Sequence, residues 1–307
     1  MKKTALLFAG QGAQTVGMGK DLAEKFPSAK TWFDRANAAL GYDLASICFD
    51  GPEAELTKTE NAQPGIFLVS WAAFEVLKEH FPALKFEAAA GLSLGEFTAL
   101  TAAGAMSFED GLRVVRERGK FMQEACDATR GGMAAVIGLD EAPTREVCTQ
   151  AGVTLANLNC PGQIVISGEA NKITQAVELA KAKGARKAIA LQVAGAYHSP
   201  LMASAQPKLQ AELAKIKISA LQVPVISNVT AQPHGSNIAS RLVEQVCSSV
   251  LWENSMRYLL SQGFERFIEL GPGSALSGFM KRIDKNAQML NVADAASLEA
   301  TVKALQV

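Results

Sequence analysis

Along this chain, short apolar runs alternate with longer segments in which apolar residues recur every three to four positions. The first run, Thr4 to Ala9, ends in Gly10-Gln11-Gly12-Ala13-Gln14 and predicts a strand entering a glycine loop. Helical spacing follows over Asp21 to Leu40 and Gly65 to Glu79. Glu87 to Leu92 predicts a second strand, which meets Gly91-Leu92-Ser93-Leu94-Gly95 and passes into a helix. Strands alternating with helices predict a parallel, doubly wound sheet.

The middle of the chain has a different rhythm. Met133 to Leu139, Val153 to Asn159, Gln163 to Ser167 and Ala188 to Val193 predict strands. Glu141 to Ala151 and Ala170 to Lys183 predict helices, and Cys160-Pro161-Gly162 marks a turn. The order β-α-β-β-α-β is the ferredoxin-like pattern. Glycines flank it at Gly131-Gly132 and Gly195. The expected fold class is therefore α/β. A core with a mostly parallel sheet, from residues 1–129 and 197–307, carries an inserted ferredoxin-like subdomain at 130–196. The core resumes with a helix, a strand at Pro224 to Asn228, helices and a strand at Phe267 to Leu270. Gly271-Pro272-Gly273 and a final helix pair close the pattern.

Composition narrows the function classes. The 307 residues fit two domains at about 150 each. Apolar residues, 49% of the chain, suffice for a sizeable core. Thirty Lys and Arg balance thirty Asp and Glu, which argues against bulk-charge binding to nucleic acid and against a disordered acidic tail. The five cysteines, Cys48, Cys126, Cys148, Cys160 and Cys247, include no Cys-x-x-Cys pair. That speaks against a disulfide framework or structural zinc and fits a reducing cytoplasm. The apolar run after Lys2-Lys3 is at the short limit for a signal peptide and is followed at once by Gln11 and Gln14, so a buried first strand is expected. The longer uncharged stretches, Ala188 to Pro207 and Ile218 to Ser240, are interrupted by proline and polar residues and do not read as membrane spans.

Gly91-Leu92-Ser93-Leu94-Gly95 has the Gly-x-Ser-x-Gly spacing that puts a serine on a tight strand-to-helix turn. Such a turn exposes the hydroxyl and aims the N–H of Leu94 at a developing oxyanion. An ordinary glycine-rich loop is the alternative. A serine needs a base, and the chain has three histidines. His80 follows a helix end and His234 lies in a Pro-His-Gly turn. His198 sits at a strand-end loop and is the candidate base by elimination. Asp110, Asp127 and Asp140 each have a capping or loop explanation, so a dyad is expected, its orienting group left open and a backbone carbonyl sufficient for it.

Arg118 falls among Leu112, Val114, Val115, Gly119, Phe121, Met122 and Ala125 on the apolar half of its helix. An unpaired charge there is costly. An internal ion pair and a fork for a substrate carboxylate are equally good readings. The loop at Gly10 lacks both the dinucleotide-binding spacing and a P-loop lysine, so no nucleotide cofactor is expected. Its glycines would let the Gln11 N–H act as a second oxyanion donor, or simply make a tight turn.

In chain order, Gly10-Gln11-Gly12-Ala13-Gln14, Gly91-Leu92-Ser93-Leu94-Gly95-Glu96, Arg118-Gly119, Gly195-Ala196-Tyr197-His198-Ser199 and Gly271-Pro272-Gly273 strongly resemble the malonyl-CoA:acyl-carrier-protein transacylases of fatty acid synthesis. They are similar also to the related acyltransferase domains of polyketide synthases. The resemblance spans nearly the whole chain. It implies an α/β-hydrolase-like core with a ferredoxin-like insert. It implies Ser93 as nucleophile, His198 as base, Arg118 as malonyl carboxylate ligand, and the Gln11 and Leu94 N–H groups as oxyanion hole. The partners implied are malonyl-CoA and acyl carrier protein, with no metal or cofactor, no nucleic acid and no membrane, and a monomer is expected. Tyr197 stands where the malonyl-selecting members usually have Phe. Ser249-Val250-Leu251-Trp252 is similar to a family segment whose backbone carbonyl orients the histidine, with Gln in many members where this chain has Leu251. The resemblance thus implies a backbone carbonyl near Leu251 for His198. An acidic carrier protein would want a basic rim, with Lys181, Lys183, Arg186 and Lys187, or Lys281, Arg282 and Lys285, as candidates. A serine hydrolase using the same dyad, or a non-catalytic carrier-protein-binding module, are the rival readings.

Overall fold

The computed structural model describes residues 2–306. The chain opens with β1 (Thr4–Phe8), α1 (Lys20–Lys25), α2 (Pro27–Leu40), α3 (Leu44–Asp50), α4 (Glu53–Leu56) and α5 (Thr59–His80). It continues through β2 (Ala88–Gly91), α6 (Leu94–Ala102), α7 (Phe108–Asp127), β3 (Gly131–Ile137), α8 (Glu141–Ala151), β4 (Thr154–Cys160) and β5 (Gln163–Glu169). Then come α9 (Ala170–Ala182), β6 (Lys187–Ala190), α10 (Ala205–Leu213), α11 (Ile238–Gln245) and α12 (Trp252–Ser261). The last elements are β7 (Arg266–Leu270), α13 (Ala275–Ile283), β8 (Gln288–Val292) and α14 (Ala295–Leu305).

The fold is α/β, with a parallel sheet and a separate antiparallel sheet. Two compact units are present. One comprises the chain through Gly119, Ile216–Ile226 and the chain from Leu259 onward. The other comprises Lys120–Lys215 and Ser227–Tyr258.

The first unit holds a parallel sheet in the order β2-β1-β7-β8. Every residue of β1 and β2 is buried, as expected of parallel strands covered on both faces. Burial on both faces also explains why β1 reads as an unbroken apolar run. The second unit holds an antiparallel sheet in the order β4-β5-β3-β6. With β3-α8-β4-β5-α9-β6 as chain order, this is the ferredoxin-like arrangement. Its core joins Val136, Leu155 and Ile166 from the sheet to Val147 and Ile173 from α8 and α9.

Four elements depart from the pattern expected of the sequence, each for a local reason. The helix expected over Asp21 to Leu40 is two, α1 and α2, broken at Phe26. Phe26 precedes Pro27, which excludes the helical region for it, and its backbone is extended at φ −122° and ψ 110°. The helix α5 starts at Thr59, before Pro64, which lies inside it. Pro64 lacks an N–H, so the helix loses one backbone bond there and the buried side chains around it supply the remainder. The strand expected at Pro224 to Asn228 is reduced to one bridge, Ala89 to Val225. Pro224 offers only its carbonyl, accepting from the Ala89 N–H at 2.9 Å, and Ile226 returns one N–H to the Ala89 carbonyl at 3.0 Å. The final helix pair is a helix, a strand and a helix, because β8 intervenes. As the outer strand next to β7 it is only half-buried, which blurs its apolar signal. Among the described residues no helix is long and apolar enough to cross a membrane.

One buried carboxylate ties β7 to α13. Glu269 is fully buried and accepts from the N–H of Leu276 at 3.0 Å and from the N–H and Oγ of Ser277 at 2.8 and 2.6 Å. Burial pushes its carboxyl upward from the ordinary range, and the bonds from Ser277 and Leu276 pull against that shift. The acceptor satisfies N–H groups of the first helical turn that have no partner inside the helix. Glu269→Ala is expected to lower stability by about 1–3 kcal/mol in a denaturant titration, because it orphans those donors.

Candidate active site

In the first unit, the elbow after β2 places Ser93 at the start of α6 with φ 53° and ψ −103°, a conformation rare for a residue with a side chain. The surrounding glycines make this attainable. A Cβ on Gly91 would stand 1.9 Å from the carbonyl carbon and oxygen of Gly95, so only glycine lets the strand and the helix start pass so closely. Leu94 is the first residue of α6, so its N–H belongs to the helical turn without internal acceptors. The Gln11 loop lies against the elbow: the Leu92 N–H donates to the Phe8 carbonyl at 3.2 Å, and a Cβ on Gly10 would stand 2.4 Å from the Leu92 oxygen.

Arg118 is only 1% exposed. Its Nη2 donates to Ser93 Oγ at 3.1 Å and its Nη1 to Gln63 Oε1 at 2.7 Å. Gln63 in turn donates through Nε2 to Gln11 Oε1 at 3.3 Å. The guanidinium carbon lies 5.3 Å from the centre of the Phe97 ring. The next residue, Gly119, explains the reach of this side chain. A Cβ there would stand 2.5 Å from the Thr59 carbonyl oxygen, so its absence lets α7 run close to the start of α5, which carries Gln63. The first unit thus brings together Ser93, Leu94, Gln11 and Arg118 from the sequence reading and adds Gln63. No sequence motif marked Gln63. It lies in the polar opening of α5, Thr59-Glu60-Asn61-Ala62-Gln63-Pro64, where nothing sets it apart from its neighbours.

In the second unit, His198 is 4% exposed and has φ 57°. Its Nδ1 lies 2.9 Å from the backbone oxygen of Gln245. A carbonyl only accepts, so Nδ1 carries the proton and Nε2 keeps its lone pair for a substrate or nucleophile proton. The orienting group is therefore the Gln245 carbonyl, not that of Leu251. The Leu251 carbonyl accepts from the N–H and hydroxyl of Ser255, at 2.9 and 2.8 Å, as part of the first turn of α12. Gln245 is fully buried, and its side chain amide lies 3.5 Å from Asn228 Oδ1. His80 is the last residue of α5, with Nδ1 2.9 Å from the Val76 carbonyl of the preceding turn. Of the basic candidates, Lys181 and Lys183 are engaged in ion pairs with Glu178 and Glu146.

Residues 5–298 match the family model described as acyl transferase domain. The malonyl CoA-acyl carrier protein transacylase of Bacillus subtilis is 45% identical, over 100% of this chain and 98% of its own. That of Escherichia coli K12 is 42% identical over 92% and 93%. This chain belongs to the malonyl-CoA:acyl-carrier-protein transacylase family of acyl transferases. Solved structures of the family superimpose closely. The transacylase from Clostridium perfringens has a TM-score of 0.95 at 43% identity, covering 99% of this chain and 97% of that one. A malonyl-transacylase solved with its type II polyketide acyl-carrier protein has a TM-score of 0.95 at 37% identity, covering 98% and 99%.

The elbow geometry makes Gly91 a strict requirement. Gly91→Ala is expected to abolish the cooperative thermal unfolding transition or lower its midpoint sharply, measured by circular dichroism. A wild-type melting curve would show that the β2–α6 turn opens more readily than the contacts at 1.9 Å allow.

Proposed function

We propose that this chain moves a malonyl group from malonyl-CoA to the phosphopantetheine thiol of an acyl carrier protein, in fatty acid synthesis, through a malonyl ester on Ser93. The observation that carries the reading is the fully enclosed guanidinium of Arg118 at 3.1 Å from Ser93 Oγ. Malonyl carries its free carboxylate two bonds beyond the reacting carbonyl carbon. A cationic fork beside the nucleophile therefore suits malonyl and leaves an acetyl group without a counterpart for the charge.

The steps run in two halves. His198 Nε2 takes the Ser93 hydroxyl proton as Oγ attacks the thioester carbon. The negative oxygen is held by the N–H groups of Leu94 and Gln11. The carbon–sulfur bond breaks, and the departing CoA sulfur takes the proton from the imidazolium. The carrier-protein thiol then gives its proton to His198 and attacks the ester, and Ser93 leaves with the proton returned. The Gln245 carbonyl on Nδ1 steadies the imidazolium in both halves. Arg118 anchors the malonyl carboxylate bidentately, with Gln63 fixing its plane. The five cysteines are free thiols, which supports a cytoplasmic setting, and the enzyme acts as a monomer.

Ser93→Ala is expected to abolish incorporation of malonyl from malonyl-CoA, read by intact-protein mass spectrometry. Arg118→Ala is expected to lower kcat/KM for malonyl transfer about 100-fold, while acetyl transfer falls far less. Equal losses for both acyl groups would remove Arg118 from the selectivity. The malonyl ester should persist in buffer and discharge to pantetheine; rapid discharge to water would make the chain a hydrolase instead.

A further inference from the structure

Three polar side chains of the first unit stand in series beside the nucleophile. Arg118 Nη1 donates to Gln63 Oε1 at 2.7 Å, and Gln63 Nε2 donates to Gln11 Oε1 at 3.3 Å. A guanidinium offers no acceptor, so it makes Gln63 turn its oxygen toward α7 and its NH2 toward the loop after β1. Gln11 must then present its own oxygen. One fixed cation thus sets the orientation of two amides in turn. Gln63 is fully buried on α5, whereas Gln11 is half-buried.

The second amide belongs to a residue whose backbone N–H faces the reaction. Gln11 lies inside a turn closed by the Ala13 N–H on the Gly10 carbonyl at 3.3 Å, with Gly12 at φ 99°. At one end the turn rests on the elbow through Gly10, where a Cβ would stand 2.4 Å from the Leu92 oxygen. On the other side the Gly12 N–H donates to Gln14 Oε1 at 2.8 Å, a bond internal to the loop. The bond from Gln63 ties the tip of this turn to a buried helix. The same helix therefore reaches both the carboxylate fork and the loop that carries the Gln11 N–H.

We propose that Gln63 is a positioning residue for the oxyanion hole as well as for the fork: through the Gln11 side chain it fixes the peptide N–H that meets the thioester oxygen. The inference rests on the proposed malonyl transfer and deepens it. Acyl recognition and oxyanion stabilisation share one amide, because Gln63 bonds Arg118 at one end and Gln11 at the other. A change at Gln63 then slows even an acyl group that has no carboxylate for Arg118 to hold. A residue serving the fork alone would leave such a group untouched.

Acetyl-CoA and malonyl-CoA separate the two roles. Gln63→Met keeps an unbranched side chain and loses both bonds, whereas Gln11→Met keeps the backbone N–H and loses only the shared bond. Both variants and the double variant are compared in kcat and KM for acetyl and for malonyl transfer. Gln63→Met is expected to lower kcat for acetyl transfer about fivefold with KM unchanged, the size of one hydrogen bond. Gln11→Met is expected to lower it to the same extent, and the double variant no further. For malonyl-CoA, Gln63→Met is expected to raise KM as well, and Gln11→Met is not. An unchanged acetyl kcat in Gln63→Met confines the residue to the fork and overturns the proposal, as do losses that multiply in the double variant. Should Gln63→Met fail to fold, Gln11→Met on the half-buried loop carries the test, and an unchanged acetyl kcat there overturns the proposal equally. Ser93→Ala run alongside separates the two readings. Transfer retained there sinks the functional assignment, whereas multiplying losses beside an inactive Ser93→Ala sink only the second role of Gln63.

Discussion

A guanidinium buried to 1% exposure is costly unless polar groups meet it, and its surroundings in the first unit supply them. Arg118 is carried into the apolar interior by helix periodicity and needs polar company there. Ser93 and Gln63 supply oxygen acceptors, and the face of Phe97 supplies a diffuse negative charge. These partners come from the elbow, from α5 and from α6, which are brought near α7 because Gly119 lets two helices approach within the width of a missing methyl group. Oxygen acceptors from two elements hold the guanidinium in one orientation beside the Ser93 hydroxyl.

Backbone strain is the second theme, and it recurs in each unit separately. Ser93 and His198 are non-glycine residues at φ 53° and 57°, a placement that costs of order 1–3 kcal/mol each. In the first unit the cost is met by the burial of β1, β2 and α6 around the elbow. In the second it is met by a turn held on β3, α7 and the end of α11. A side chain projected from such a turn is held by backbone, not by its own rotamer alone. That suits groups whose reacting atoms must sit at one position.

Much of this was legible from residue order alone. Parallel strands buried on both faces must be written as apolar runs, so β1 and β2 stood out, and the alternation in the middle of the chain announced the antiparallel sheet. The serine elbow was legible because glycines at fixed spacing are the only way to build it. Arg118 was legible because a charge on an apolar stripe is conspicuous. Gln63 was not, since an amide carries no charge and its partner lies 55 positions away. The orienting carbonyl was misplaced at Leu251 because every residue has a carbonyl, and only the fold shows that Ser255 has claimed that one.

Local rules in the chain therefore fixed most element types and the family, and singled out Ser93, His198 and Arg118 as candidates, because periodicity, glycine spacing and residue chemistry act over a few positions. Tertiary structure decided which partners those side chains meet: Gln63 and Ser93 for Arg118, and the Gln245 carbonyl for His198. It also decided that α1 and α2 part at Phe26 and that β8 is a strand. A hydrogen bond between residues far apart in the chain depends on how whole elements pack, and no local pattern encodes that distance.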